Sequence, residues 1–114
     1  MSRGTALLLA AAATAALAAS ATGAVTRTIK VGDDFFVKDG KAPTVTVKQN
    51  TRVRWNWIGD SAHNVTVSKG PVKFKSKTQT SGTYTKVVTR RGTYKIYCTI
   101  HGAGDQSMTL RVVK

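Results

Sequence analysis

The chain has 114 residues, a formal charge of +13 from 18 lysines and arginines against five aspartates, one cysteine and two histidines. A chain this short leaves room for one small core and no second domain once any leader is set aside, and a lone cysteine excludes an internal disulfide framework. The basic balance points to anionic partners or, more simply, to a solvated surface that keeps a small protein soluble.

The first residues read as a leader. Met1 and Arg3 give a short positive start, Ala6 to Ala18 is an uncharged alanine and leucine run, and Ala19-Ser20-Ala21 offers a small-x-small cleavage site, with Gly23 or Ala24 as later alternatives. An apolar core of about 13 residues falls short of the roughly 20 needed to span a bilayer. We therefore expect a secretory signal over 1–24, cleaved near 21–24, and one domain over 25–114. A retained N-terminal anchor is the alternative. Export places the domain in a periplasm, outside the cell or against the cell surface, where nucleic acid is not an expected partner. Loss of Arg3 leaves 17 basic residues against 5 acidic ones, or +12.

The rest of the chain alternates. Thr26 to Val31 carries polar and apolar residues in turn, as a half-buried strand does, and Gly32-Asp33-Asp34 breaks it. Phe35-Phe36-Val37 follows as a short strand or bulge, and Lys38-Asp39-Gly40-Lys41 as a turn. Thr44 to Lys48 has period 2, and Arg52 to Ile58 repeats it, which aims Val53, Trp55 and Trp57 at the core. Gly59-Asp60-Ser61-Ala62 delivers His63 to the mouth of a strand over Asn64 to Ser68.

From Val72 to Gly82 the pattern weakens, with Phe74 as its one large apolar anchor; it reads as an exposed edge whose Lys73, Lys75 and Lys77 blunt aggregation. Tyr84 to Thr89 is a strand, Arg90-Arg91-Gly92 a tight turn, Thr93 to Cys98 a strand, and Met108 to Val113 closes the chain. Short strands at regular spacing without an amphipathic helix predict an all-β fold: an antiparallel Greek-key β-sandwich of seven to eight strands.

One loop holds the chemistry. Tyr97 to Met108 contains the only cysteine, one of the two histidines, and the only amide and thioether near them. Cys98 and His101 stand close enough on one loop to face one point, and a third ligand has to come from His63, 35 residues upstream of Cys98. A thiolate with two imidazoles suits a single copper ion in both oxidation states. Zinc accepts the same donors, but copper(II) binds them more tightly.

These residues carry a family resemblance. Trp55 through His63-Asn64-Val65-Thr66-Val67, followed by Gly92-Thr93-Tyr94-Lys95-Ile96-Tyr97-Cys98-Thr99-Ile100-His101-Gly102-Ala103-Gly104, resembles the small blue copper proteins, the plastocyanin-like cupredoxins, over most of the domain. The resemblance implies that His63, Cys98 and His101 are the equatorial ligands of one copper ion cycling between Cu(I) and Cu(II). It also implies a weak axial methionine five residues after the loop histidine. Here that position is Gln106, with Met108 two residues on. Gln106 is favoured as the axial group, since glutamine replaces methionine in the stellacyanin-like members, and Met108 is the alternative. Met108 shares a strand face with Leu110 and Val112, so it also reads as core. Asn64 and Thr99, beside the ligands, are placed to hydrogen-bond across the two loops. His101, flanked by Gly102, Ala103 and Gly104, is the implied electron port.

The expected function is thus an exported type 1 copper protein that carries one electron, monomeric and not an enzyme. Its expected partner is a redox protein with an acidic docking surface, with anionic cell-surface polymers or lipids as further possibilities. Copper sequestration or delivery through the same site is the alternative. A thiol enzyme with Cys98 as nucleophile and His63 or His101 as base is the second alternative. Two histidines cannot furnish the further copper centres of a multicopper oxidase.

Overall fold

The computed structural model describes residues 25–39 and 42–114, so the expected leader lies outside the described residues. Eight strands follow one another: β1 (Thr26–Gly32), β2 (Phe35–Phe36), β3 (Thr44–Lys48), β4 (Thr51–Trp57), β5 (Thr66–Lys69), β6 (Thr83–Val88), β7 (Gly92–Tyr97) and β8 (Ser107–Val113). They form two four-stranded sheets in the orders β2-β1-β4-β6 and β3-β8-β7-β5.

Alternation explains which faces meet. In β4 Val53, Trp55 and Trp57 are buried while Arg54 between them is exposed. Ile29 and Val31 of β1 face the same interior, and Tyr94 and Ile96 of β7 with Met108, Leu110 and Val112 of β8 close it from the other sheet. Trp55 anchors the middle, with its ring 6.0 Å from Phe74 and 5.8 Å from Tyr84. Truncating a side chain of that size in such a setting costs about 3–5 kcal/mol.

The sandwich is as expected, but its pairing is not purely antiparallel. Strands β1 and β4 run parallel, with Ile29 opposite Trp55, and so do β3 and β8, with Val45 opposite Leu110. The reason lies in the crossovers. The turn at Gln49-Asn50, where Asn50 takes φ 71°, carries the chain from β3 in one sheet to β4 in the other, instead of closing a hairpin. Period-2 patterning fixes which face a strand buries and leaves the direction of its neighbour open.

The weakly patterned stretch after β5 is an irregular edge rather than a free connection. Val67 N donates to Phe74 O at 3.0 Å and Ser76 N to Val65 O at 2.8 Å. Lys73, Lys75 and Lys77 point to solvent. The same edge holds the next residue that matters, because His63 and Gln79 exchange both backbone hydrogen bonds at 3.0 Å.

Candidate metal centre

Two loops at one end of the sandwich bring the predicted ligands together. The connection from β4 to β5 carries His63 and the connection from β7 to β8 carries Cys98 and His101. The ligand atoms of these three residues all lie within 4.8 Å of one another. Cys98 Sγ is 3.5 Å from His101 Nδ1, and the two imidazole rings are 4.7 Å apart at 34°. Metal–nitrogen bonds of about 2.0 Å and metal–sulfur bonds of about 2.3 Å put ligand atoms roughly 3.4–3.8 Å apart, so these side chains need little movement to share one ion.

The loop from Cys98 to Gln106 is folded back on itself. Gly102 N donates to Cys98 O at 2.8 Å, Gln106 N to Gly102 O at 3.0 Å, and Cys98 N to Gln106 O at 3.1 Å. Gly102 sits at φ +86° with open space around it, a conformation that favours a residue without Cβ. The turn aims Cys98 inward, fully buried, and leaves His101 half-exposed at the edge.

Asn64 joins the two loops. Its Nδ2 donates to Thr99 Oγ1 at 2.8 Å and to Thr78 Oγ1 at 3.1 Å, while its Oδ1 accepts from Thr99 N at 3.1 Å. Thr66 Oγ1 also donates to Asn64 Oδ1, at 2.8 Å. The peptide that follows Cys98 is thereby tied to the residue that follows His63.

His63 has no exposed surface, and its two ring nitrogens differ. Nε2 is 3.1 Å from Asp33 Oδ1 and 3.3 Å from Ser61 Oγ, whereas Nδ1 is buried without a hydrogen-bond partner. Asp33, in the turn between β1 and β2, reads in sequence as a strand breaker; no local spacing links it to His63 30 residues away. Its carboxyl is held well below the usual carboxylate range, first by the Ser61 backbone N–H, then by His63 and the Ser61 hydroxyl.

Gln106 is fully buried, with Nε2 donating to Gly32 O at 2.8 Å and to Phe35 O at 3.0 Å and with Oε1 unpaired. Met108, 2% exposed, pairs across the ladder with Ile96 and belongs to the core. A buried amide oxygen and a buried imidazole nitrogen without partners are costly in an apolar interior unless something occupies the space they face. The donor set of one thiol and two imidazoles fits copper, and the His63, Cys98 and His101 group could hold one copper ion.

No family model matches the chain, and no curated protein sequence matches it. Solved structures do. A copper-containing nitrite reductase from Thermus scotoductus SA-01 superposes with TM-score 0.65 at 19% identity, over 79% of this chain and only 23% of that one. A methionine-to-glutamine variant of amicyanin in its Cu(I) form gives TM-score 0.63 at 22% identity, covering 76% of this chain and 81% of that one. A mutant plastocyanin of fern gives 0.61 at 21%, covering 75% and 99%. Likeness at such identities speaks for architecture alone, and by architecture this domain has the cupredoxin-like fold that these structures share.

Proposed function

We propose that this chain is an exported copper protein that carries single electrons. One observation carries the reading: three ligand atoms of copper-suited chemistry converge within 4.8 Å, while the buried His63 Nδ1 and Gln106 Oε1 are left without protein partners. His63 Nδ1, Cys98 Sγ and His101 Nδ1 would hold the ion, with Gln106 Oε1 as a further, weaker donor. Copper bound there would supply a one-electron couple, and a hard oxygen donor from Gln106 would favour the oxidised form and lower the potential.

The protein's part is to keep the donors still and the site dry. The Asn64 and Thr99 link fixes the thiolate against His63, and the burial of Cys98 excludes water from the sulfur. That burial also speaks against a thiol enzyme, since a substrate could not reach Sγ without displacing the loop. His101, half-exposed and followed by three small residues, is the edge through which a partner would exchange an electron. The net basic surface favours a redox partner with an acidic docking surface, met outside the cytoplasm.

The test is reconstitution. Residues 25–114 with added Cu(II) are expected to show an intense thiolate-to-copper absorption band and a type 1 paramagnetic resonance spectrum, both abolished by Cys98→Ser. Gln106→Ala is expected to change spectrum and potential, and Met108→Ala to lower stability by about 2–5 kcal/mol with the spectrum kept. A band that survives Cys98→Ser, or no band at all, would overturn the reading.

A further inference from the structure

The turn between β1 and β2 supplies no ligand, yet it touches two of the four donor side chains. We propose that this turn, Gly32 to Phe35, is the clamp that orients the metal centre: the Asp33 carboxylate sets the tautomer and rotation of His63, and the carbonyls of Gly32 and Phe35 set the direction of the Gln106 amide. The proposal rests on the copper reading for its purpose, but not for its geometry.

A carboxylate can only accept a hydrogen bond, so the short contact between Asp33 Oδ1 and His63 Nε2, 3.1 Å, places the imidazole proton on Nε2. The lone pair is then on Nδ1, the buried nitrogen without a protein partner. The carboxylate is itself fixed. Asp60 N, Ser61 N and Ser61 Oγ donate to the same Oδ1 at 2.9, 3.0 and 2.9 Å. All three donors belong to the loop that carries His63, so loop and carboxylate lock each other. Gly59 completes the fit, since a Cβ there would collide with the Asp33 carboxylate.

The same argument reads the amide. Gln106 Nε2 spends its two protons on Gly32 O and Phe35 O, so Oε1 has to point away from the turn. The flipped amide would set an oxygen against two carbonyl oxygens and leave both NH2 protons unpartnered, so the network assigns the orientation. A Cβ at Gly32 would run into the Phe35 ring, so the packing of that ring across the turn depends on the glycine. The clamp therefore ties β1 and β2 of the first sheet to a donor that β8 of the second sheet follows, 74 residues away in sequence from Gly32. Ligand orientation then depends on closure of the sandwich at this end.

Nuclear magnetic resonance of the His63 ring and the Gln106 side-chain amide, in the metal-free and the Zn(II)-loaded protein, tests the clamp without copper. In the wild type a single Nε2–H tautomer and slow exchange of the His63 Nε2 and Gln106 Nε2 protons are expected. Asp33→Ala is expected to speed His63 Nε2–H exchange about tenfold or more, as loss of a hydrogen bond to a charged group implies. It should also mix the tautomers in the metal-free protein and, with Cu(II), change the paramagnetic resonance parameters and raise the potential, because the imidazole becomes a poorer donor.

Asp33→Asn keeps an acceptor and should move the same signals less; it serves alone should Asp33→Ala not fold. Gly32→Ala, which displaces the turn, should speed exchange at both His63 and Gln106 together. Unchanged His63 exchange and tautomer in the metal-free Asp33 variants would overturn the clamp on His63, and unchanged Gln106 exchange in Gly32→Ala would overturn it on the amide. Protected His63 and Gln106 signals in a protein that gives no thiolate-to-copper band would refute copper and leave the clamp standing.

Discussion

The two imidazoles of the site are built in opposite ways. His63 has no exposed surface, is pinned through Nε2 to Asp33, and exchanges both backbone hydrogen bonds with Gln79. His101 is half-exposed on a turn of small residues, and its ring meets Cys98 Sγ through Nδ1 at 3.5 Å. One ring is anchored to the scaffold and the other faces the outside. On the proposed function, a centre that keeps its geometry and still passes an electron to a partner needs both kinds of ligand, and the two histidines would divide these tasks.

Removing each ring in turn breaks the comparison most strongly. His63→Gly and His101→Gly should each lose most of the thiolate-to-copper band when Cu(II) is added. Millimolar free imidazole should restore it in His101→Gly, where the gap opens to solvent, and not in His63→Gly, where the gap is sealed behind the Ser61 loop and the edge strand. Equal rescue of both, read as recovered band intensity, would mean that the sites do not differ in access.

The sequence showed one half of this contrast and hid the other. The convergence of Cys98, His101 and His63 was legible because their residue types are rare in the chain, and Asn64 and Thr99 were legible because they adjoin two of these residues. The strands were legible to within a residue or two, since Val53, Trp55 and Trp57 alternate with polar neighbours. Asp33 was not legible. Its contact with His63 exists only because β1 lies beside β4, and a parallel pair made through a crossover leaves no local pattern. The role of Gln79 was hidden for the same reason, since the edge that carries it has no regular alternation. What depends on residue type or period could be read; what depends on which distant turn meets which loop could not.

Charge sharpens the contrast next. Four of the five acidic residues, Asp33, Asp34, Asp39 and Asp60, line one cleft on the His63 flank, while the loop of His101 carries only Asp105. A partner with an acidic docking surface should therefore approach away from the His63 flank and settle over His101. We expect the rate of electron transfer to such a partner to fall about tenfold on going from low salt to 0.3 M, because exposed charges are screened within about 10 Å at 0.1 M ionic strength. Asp34→Asn combined with Asp39→Asn should raise the low-salt rate severalfold by removing the repelling flank. Stopped-flow rates that ignore salt in both proteins would show that the basic surface serves solubility alone.

The smallest expected effect comes from the other end of the sandwich and separates anchoring from mere stability. Tyr94, 1% exposed, donates its hydroxyl to Arg90 O at 2.7 Å, bracing the turn into β7. Burial raises its pKa above the ordinary value of 10.0, with the Arg90 charge opposing in part. A raised pKa means that the folded state favours the neutral phenol. The contribution to stability is thus complete below the unfolded value and is lost as pH rises through the folded one. Tyr94→Phe should cost about 1 kcal/mol at neutral pH, the usual worth of one such hydrogen bond, and should flatten the decline in stability above pH of about 10. Denaturant titrations at pH 7 and in alkaline buffer measure both. Because Tyr94 touches neither histidine's hydrogen-bond partners, the His63 ring signals and the copper spectrum should stay as in the wild type. A Tyr94→Phe protein whose His63 exchange rises with its loss of stability would mean that the anchored histidine is held by global stability and not by Asp33.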